Sequence, residues 1–401
     1  MGEASTQDIE AFRAEVRAFL DEAFDSELRA LAARQAGVFA YGELARRWHA
    51  ILYRKGWAAP AWPKEYGGPG WSWEQRQVYQ TECERLGTPR VAAFGISLCA
   101  PVIMKYGTDE QKAFLLPRIL SGEFYFCQGY SEPQSGSDLA SLQTRAVRDG
   151  DDYVVNGTKI WTTHAHFANW IFMLVRTSTE GRPQQGISFL VSPLNVPGVT
   201  IRPILSMSGE HEINQDFFDN VRVPVANRFG AENEGWSVAK YLLEHERGSS
   251  DIGVSLQVGV EGLKAVAAQE HGDLGGALLD DPDFRRKLTL RDLEARVGAA
   301  VDKRISAALG AGDSVGSAGS SIKKLMSTEC GQQTADLTME ALGVYAGVDQ
   351  RPSLGEGLAD PIGPTYAMTP TAKYLNGRAT TIFGGSSEVQ RNILAKSILG
   401  L

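Results

Sequence analysis

The sequence predicts an α+β protein in which a helical domain, a β domain and a second helical domain follow one another. Near the start, apolar residues recur at spacings of three and four, as in Ile9, Phe12, Val16 and Phe19, which is the period of an amphipathic helix. From about residue 124 the pattern becomes short alternating stretches, and after Gly235 the helical period returns. We therefore expect an N-terminal α-helical domain over residues 1–123, a central β domain over 124–233 and a C-terminal helical domain over 234–401.

Turn residues delimit the expected elements. A second amphipathic helix is predicted over residues 43–53, followed by a connector over 56–68 whose prolines and glycines fix turns. In the β domain, Asn156 and Gly157 predict a tight hairpin, because this dipeptide supplies the positive φ angles that such turns require. Further strands are expected over 170–176, 187–191, 199–204 and 217–223, which together favour a compact β sandwich or barrel. The later helices are interrupted by a Gly/Ser-rich loop over 309–321 and a proline-bearing excursion over 344–370.

The composition excludes several classes of protein. The chain has 401 residues, of which 43% are hydrophobic and 22% charged, as in ordinary globular proteins. Its longest apolar stretch, over 168–175, falls well short of the roughly 20 residues that a bilayer requires, so we expect no membrane span. The polar, acidic N-terminus and four cysteines without paired spacing indicate a cytoplasmic protein. A net charge of −8 argues against nonspecific nucleic-acid binding.

The segment 128–138 is the strongest candidate for a ligand-binding loop. Its small and hydroxyl-bearing residues leave backbone N–H groups available to an anionic or carbonyl-rich ligand, although a Ser/Gly-rich surface loop has the same composition. A dinucleotide fingerprint with strand–helix context and a serine-hydrolase elbow are both missing from the sequence. His164 and His166 have no third ligand at suitable spacing, so we expect no metal site.

Motifs along nearly the whole chain resemble those of the acyl-CoA dehydrogenases, and they occur in the same order. The loop 128–138 resembles the E-P-x-x-G-S-D signature of that family, and residues 159–163 resemble its lysine–aromatic–threonine strand. Residues 56–68 are similar to its N-terminal connector, and residues 218–224 followed by 233–236 are similar to its domain junction. Residues 382–400 resemble its C-terminal G-x-S-E-x-Q-R-x-I helix. The resemblance implies the family's β-barrel middle domain and C-terminal four-helix bundle.

The resemblance also implies that FAD lies between the β domain and the C-terminal helices. The residues that it assigns to the cofactor are Gln128, Tyr130, Ser131, Trp161, Thr163, Ser386 and Glu388. In this assignment the first three line the isoalloxazine ring, the tryptophan stacks near it, the threonine bonds its polar edge, and the last two touch the flavin's other end. Ser137 would meet the CoA arm. Taken alone, Trp161 is better explained as a core aromatic, and its place in the motif reverses that preference.

Removing an α proton while hydride leaves the β carbon requires a carboxylate base and hydrogen bonds to the thioester carbonyl. Many family members place a glutamate just before the C-terminal G-[ST]-S segment. Here that position is Gly384, which has no side chain to take a proton but has a backbone N–H for the thioester oxygen.

Glu246, followed by Arg247, matches a second family solution, in which the base lies on the first long helix of the C-terminal domain. At about 100° per residue, Glu246 falls on the same apolar side of that helix as Leu242 and Leu243. Desolvation there would raise its pKa, which suits a general base. A structural pairing of Glu246 with Arg247 is the alternative. We predict that Glu246 is the catalytic base.

Two departures from the family affect the residues that homo-oligomeric members donate to a neighbouring FAD. Residues 271–281 have no arginine where R-x-x-F-G is usual, and Glu340 precedes Ala341-Leu342-Gly343 where a glutamine is expected. The added negative charge would repel a pyrophosphate. We therefore expect a related dehydrogenase subunit to supply the missing groups in an α2β2 heterotetramer, similar to the paired enzymes of bacterial steroid side-chain degradation.

The resemblance implies oxidation of a bulky or branched acyl-CoA, with an electron-transfer flavoprotein as acceptor. Flavin monooxygenases and oxidases share this fold, but they generally need no α-proton base, so Glu246 disfavours them. A non-catalytic partner subunit is the third reading. The degenerate pyrophosphate residues favour it slightly, whereas Glu246, Ser137 and Trp161 count against it.

Overall fold

The computed structural model describes residues 6–92, 94–248, 252–272, 275–310, 316–357 and 359–401. Within these ranges the helical side chains at 244–248 are outside the description, so Glu246 and Arg247 are placed by their backbone alone.

The N-terminal domain is helical, as the sequence predicts. Its helices are α1 (Thr6–Ala23), α2 (Ser26–Ala33), α3 (Gly42–Lys55), α4 (Trp73–Leu86), α5 (Ala100–Tyr106) and α6 (Asp109–Ser121), with a π-helical stretch over Phe94–Cys99. Capping boxes at Ser72 and Thr108 satisfy the first N–H groups of α4 and α6. The apolar stripe of α1, which includes Val16 and Leu20, packs against Trp48 of α3 in one buried cluster.

The central domain contains one mixed sheet in the described residues. Its strands are β1 (Phe126–Gly129), β2 (Arg145–Asp149), β3 (Asp152–Ile160), β4 (Trp170–Arg176), β5 (Ile187–Pro193), β6 (Val199–Ile204), β7 (Ile213–Pro224) and β8 (Arg228–Phe229). The order is β6-β7-β3-β2-β4-β5-β8, and β1 pairs in parallel with β4. The long β3 pairs with β7 in antiparallel register, with Lys159 opposite Asp216. This pairing fixes the position of the C-terminal end of β3.

The hairpin predicted at Asn156 and Gly157 is wrong, because β3 runs straight through both residues. The turn lies earlier, between β2 and β3, where Gly150 has a φ of 64°. Asn156 and Gly157 instead mark a register shift between β3 and β7. A Cβ at Gly157 would lie 2.6 Å from the Thr144 hydroxyl oxygen, so this glycine permits close approach of the neighbouring backbone rather than a turn.

Among its described residues, the C-terminal domain has four long helices and two short ones. They are α7 (Gly235–Gly248), α8 (Ile252–Ala267), α9 (Pro282–Gly310), α10 (Gly316–Leu342), α11 (Pro370–Gly377) and α12 (Ser387–Leu394). The loop predicted over 309–321 is too long at both ends, because α9 continues to Gly310 and α10 begins at Gly316. Residues 311–315 lie outside the described residues. The excursion before α11 contains short 3-10 turns over Gly343–Gly347, Arg351–Ser353 and Thr365–Ala367.

One buried cluster joins all three domains. It contains Trp62 and Ile103 from the N-terminal helices, Phe172 and Phe189 from the sheet, and Leu242 from α7. Such continuous apolar burial fixes the domains relative to one another, at about 25 cal/mol for each Å² of apolar surface removed from water. Within the described chain, no helix has both the length and the apolar character of a membrane span.

Candidate functional site

The two β-domain segments with predicted cofactor residues lie side by side. The backbone N–H of Ile160 donates to the carbonyl oxygen of Ser131 at 3.0 Å. The ammonium of Lys159 donates to the carbonyl oxygen of Tyr130 at 3.2 Å. The end of β1 and the end of β3 therefore form one surface, although they are about thirty residues apart in the chain.

Residues 161–164 alternate between the interior and the outside. Thr162 and His164 are buried, whereas Trp161 is 57% exposed and Thr163 is partly exposed. The N–H of Thr162 donates to the carbonyl oxygen of Asn214 at 3.1 Å, and that of His164 donates to the carbonyl oxygen of Glu212 at 2.9 Å. The two buried residues are therefore hydrogen-bonded to β7 and to the residue just before it. The two predicted flavin residues, Trp161 and Thr163, face away from the interior.

Trp161 has an unusual backbone conformation. Its φ is 61°, and that of His164 is 58°, in the left-handed region that residues with a side chain adopt at a cost of about 1–2 kcal/mol. Such strain persists where surrounding contacts hold it, and it clusters at functional sites. The core interpretation of Trp161 is wrong, because a core indole would not have more than half of its surface in solvent.

A buried ion pair anchors the loop that follows β1. Lys159 and Glu132 meet at 2.8 Å, with side chains that are 0% and 1% exposed. The same carboxylate accepts backbone N–H groups from Gln143 at 2.6 Å and Thr144 at 2.9 Å. Burial alone would raise the pKa of Glu132, but the Lys159 charge and the backbone donors hold it below its usual value. These bonds hold the two ends of the loop 131–144 together and fix Tyr130 and Ser131 where the loop begins.

Tyr130 connects this surface to the helix that bears the predicted base. Its side chain is 7% exposed, and its ring meets Phe172 of β4 edge-on at 6.0 Å. Leu242 of α7 belongs to the same buried cluster. Glu246 follows Leu242 by one helical turn within α7, and its side chain and that of Arg247 lie outside the described residues.

The segment around Gly384 has a shape that requires glycine. Gly384 and Gly385 have φ angles of 65° and 90°. The ammonium of Lys324, on α10, donates to the carbonyl oxygens of Thr380 and Phe383, each at 2.8 Å. Phe383 is 47% exposed and Ile382 is 67% exposed, so this segment presents apolar surface to the outside. A glutamate at position 384 would be strained in this conformation.

The remaining predicted residues lie on β1, on the loop after it and at the start of α12. Ser386 is the N-cap of α12, where its hydroxyl accepts the N–H of Val389 at 3.3 Å, and Glu388 is exposed on the first turn. Ser137 is exposed on the loop after β1, and Gln128 is partly buried in β1, opposite Phe172 of β4. Glu340, the residue that replaces an expected glutamine, pairs with Lys287 at 2.8 Å.

The histidines near this surface are paired with polar and aromatic groups. His164 Nδ1 lies 2.8 Å from the Tyr125 hydroxyl, and burial lowers the pKa of His164 to about 3, which keeps the ring neutral. The rings of His166 and His211 stack at 3.8 Å. In the part of the chain that the structure describes, no group of three or more His, Cys, Asp or Glu residues could hold a metal ion.

Glu212 was not foreseen from the sequence, and it joins three domains. Its Oε1 accepts the N–H of Val38 at 3.0 Å and that of Phe39 at 3.3 Å, in the segment before α3. Its Oε2 accepts Nδ2 of Asn376 on α11 at 3.0 Å. Burial raises the pKa of Glu212. Sequence reasoning missed it because each of these partners is more than 160 residues away.

The surface formed by these segments suits a flat, partly apolar cofactor. An exposed indole in a strained conformation stands beside a partly exposed threonine and backbone atoms at the strand ends. The C-terminal segment adds exposed apolar residues next to two glycines with positive φ angles. An isoalloxazine ring needs an apolar face together with hydrogen bonds at one edge, so the residues fit FAD.

Comparison with known proteins assigns this fold and site to a class. The chain matches the models for the N-terminal, middle and C-terminal domains of acyl-CoA dehydrogenase over residues 6–123, 127–221 and 233–399. The chain therefore belongs to the acyl-CoA dehydrogenase family and is an oxidoreductase of that class. The fold predicted from the sequence is confirmed.

The chain is similar in sequence and structure to individual proteins of this family. It is 36% identical to the acyl-CoA dehydrogenase IpdE1 of Mycobacterium tuberculosis over 98% of both chains. Its structure is similar to that of the ChsE4-ChsE5 complex from M. tuberculosis, with a TM-score of 0.84 and 34% identity over 100% of this chain and 99% of the other. It is also similar to the Tcur3481-Tcur3483 steroid ACAD, with a TM-score of 0.82 and 30% identity over 100% and 99% of the two chains.

Proposed function

We propose that this chain binds FAD and dehydrogenates an acyl-CoA thioester at its α,β carbons, with Glu246 as the general base. The observation that carries the proposal is the shared surface of residues 128–131 and 161–163, with α7 packed behind it through the cluster of Tyr130 and Leu242. In this arrangement the expected flavin residues and the expected base belong to adjacent elements.

When bound, FAD supplies the hydride acceptor. The residues of the chain then have separate tasks. Trp161 would stack the face of its indole near the isoalloxazine ring, and the Thr163 hydroxyl would hydrogen-bond to the polar edge of that ring. The N–H of Gly384 would donate to the thioester carbonyl oxygen, which lowers the pKa of the α C–H. Glu246 would then take the α proton. Arg247, the next residue, supplies a positive charge close to the backbone of the base.

The conformation of Gly384 supports a base on α7. With a φ of 65°, position 384 disfavours the glutamate that other family members have there. A second carboxylate near the α carbon would also be unfavourable, because two like charges at one site raise the pKa of one of them strongly. Glu246 is consistent with both constraints.

We infer a bulky, steroid-like acyl group and a related partner subunit. One structural relative is a ChsE4-ChsE5 complex and another is described as a steroid ACAD composed of Tcur3481 and Tcur3483. The absence of arginine from residues 271–281 and the pairing of Glu340 with Lys287 leave this chain poorly equipped to bind a neighbour's pyrophosphate. The partner in an α2β2 heterotetramer would supply that charge, and an electron-transfer flavoprotein would accept the electrons.

An anaerobic flavin-reduction assay tests the proposal. The chain is purified alone and co-expressed with a neighbouring dehydrogenase-like gene, and both preparations are mixed with short, branched and steroid-bearing acyl-CoAs. Bleaching by a bulky thioester in the co-expressed preparation alone is the expected result. Bleaching by the single chain would remove the partner from the proposal. No bleaching by any thioester, together with oxygen consumption, would favour a monooxygenase or oxidase.

A further inference from the structure

Asn214, near the start of β7, makes two hydrogen bonds to the backbone of Thr162, in the segment 161–163. Its carbonyl oxygen accepts the N–H of Thr162 at 3.1 Å, and its side-chain Nδ2 donates to the carbonyl oxygen of Thr162 at 2.9 Å. Both polar backbone groups of Thr162 are therefore held by one residue that is 0% exposed. Trp161 and Thr163 are the immediate neighbours of the residue so held.

The rest of the Asn214 amide is also occupied. Its Oδ1 lies 2.7 Å from Nε2 of His211, and its Nδ2 lies 3.0 Å from Nδ1 of His166. Because the carbonyl of Thr162 can only accept, the amide nitrogen must face it, and the oxygen must face His211. His211 then donates from Nε2, and His166 accepts at Nδ1. No donor of the amide remains for a ligand.

His166 must stay neutral for this network to persist. A proton on Nδ1 of His166 would point a second N–H at the amide nitrogen of Asn214, which has no acceptor to offer. Burial and the neighbouring His211 lower the pKa of His166 to about 4, so the ring is neutral near pH 7. The stacked His211 ring, at 3.8 Å, restricts the orientation of His166 further.

We propose that Asn214 is a positioning residue for the cofactor, which preforms the strained conformation at Trp161 and directs Trp161 and Thr163 outward before FAD arrives. This inference rests on the proposed flavin function. A left-handed residue with a side chain is otherwise unfavourable, so without the side-chain bond from Asn214 to the Thr162 carbonyl the segment would relax toward an extended path. Such preorganisation strengthens binding by removing the cost of ordering the segment when the ligand binds.

The test compares variants in whichever preparation holds FAD, the chain alone or with its partner subunit. Asn214→Leu removes the three side-chain bonds and keeps the backbone bond to the Thr162 N–H. Asn214→Asp keeps the volume and the acceptor for His211 while placing a carboxylate oxygen against the Thr162 carbonyl. We expect either variant to weaken FAD binding about tenfold, as the loss of about one net hydrogen bond predicts. The visible absorption band of the remaining bound flavin should shift toward that of free FAD.

Gln350 offers a matched control, because it holds one residue in the same way. Its Nε2 donates to the carbonyl oxygen of Ile362 at 2.7 Å, its Oε1 accepts the N–H of Ile362 at 3.0 Å, and it is 5% exposed. Gln350→Leu should lower thermal stability as much as Asn214→Leu does, yet leave FAD affinity and the flavin spectrum unchanged. Equal effects of the two variants on the flavin would overturn the inference.

Hydrogen exchange of the unaltered protein provides a second measurement that does not depend on whether the variants fold. The amides of Thr162 and His164 are expected to be protected to the same extent with FAD bound and after its removal. Fast exchange without FAD would mean that the cofactor orders the segment, which contradicts the inference. Failure of the unaltered protein to bind FAD would instead overturn the proposed function, and the inference with it.

Discussion

Asp216 shows how a single residue can weaken the β domain. It lies on β7 opposite Lys159, but the Lys159 ammonium is used by Glu132, and both carboxyl oxygens of Asp216 are buried without a hydrogen-bond partner within 3.5 Å among the described residues. Burial raises the pKa of Asp216 to about 7, and the nearby Thr162 side chain opposes that shift. A charged carboxylate in this position is costly.

Asp216→Asn is expected to stabilise the protein in a pH-dependent way. In the unfolded chain the carboxyl has a pKa of 3.8, and in the folded protein about 7. The folded state therefore loses stability as pH rises between these values, by an amount on the order of 2–4 kcal/mol. The amide carries no such penalty. Urea unfolding at about pH 5 and about pH 8 should show a gain that is larger at the higher pH, and equal gains at both would contradict the assigned cause.

At the residue scale, the sequence predicts positions better than partners. Trp161 and Thr163 could be proposed for the flavin because they belong to a local motif, and that assignment stays a prediction. The structure places both on the outer side of one segment. The contacts of Asn214 could not be predicted, because its side chain bonds to a residue 52 positions away. The side chain of Glu246 lies outside the described residues, so its assignment stays a prediction.

At the element scale, the ends of β1 and β3 depend on the buried Glu132–Lys159 pair. A lysine inside an otherwise alternating strand is a signal that the sequence shows, but its partner is not evident until the loop 131–144 folds back on β3. The misassigned hairpin has the same origin. Asn156 and Gly157 have turn-forming propensity, but the pairing of Asn156 with β2 and of Gly157 with β7 outweighs it.

Breaking the buried pair should cost far more than breaking an exposed one. Lys159→Met is expected to destabilise the protein by about 3–5 kcal/mol, because the Glu132 charge is left buried, and adding Glu132→Gln should recover part of the loss. Arg222→Met is the control, since Arg222 meets Asp149 at 2.7 Å with both side chains more than half exposed. Its cost should be below about 1 kcal/mol. Similar unfolding midpoints for Lys159→Met and Arg222→Met would contradict this account.

At the scale of the whole molecule, the domains meet at more than the shared apolar cluster. Glu212 binds the segment before α3 and also α11, and the guanidinium of Arg34 donates to the carbonyl oxygens of Ser353 and Gly357 at 2.9 and 3.0 Å. The three-domain order could be predicted from changes in periodicity. These contacts between domains could not be predicted, because periodicity does not indicate which surfaces of the domains contact each other.

Glu212→Ala should loosen that junction without unfolding the domains. The amides of Val38 and Phe39 and the side chain of Asn376 would lose their acceptor, at a cost of about 1 kcal/mol for each of these partly buried groups. Hydrogen exchange should accelerate at residues 38–39 and in α11. Glu123→Ala, which removes an exposed partner of Arg118, should leave these rates unchanged. Unchanged exchange in Glu212→Ala would show that the junction is held by other contacts.

The central claim is that this family member removes the α proton with a carboxylate on α7, and single-turnover flavin reduction in Glu246→Gln tests it most directly. Glu244→Gln is the matched control, since helical periodicity predicts that Glu244 lies beside Lys240 rather than on the apolar side. We predict that Glu246→Gln retains FAD but is reduced by acyl-CoA about 10²–10⁴ times more slowly, while Glu244→Gln reacts normally. Reduction of Glu246→Gln at the unaltered rate would contradict the account.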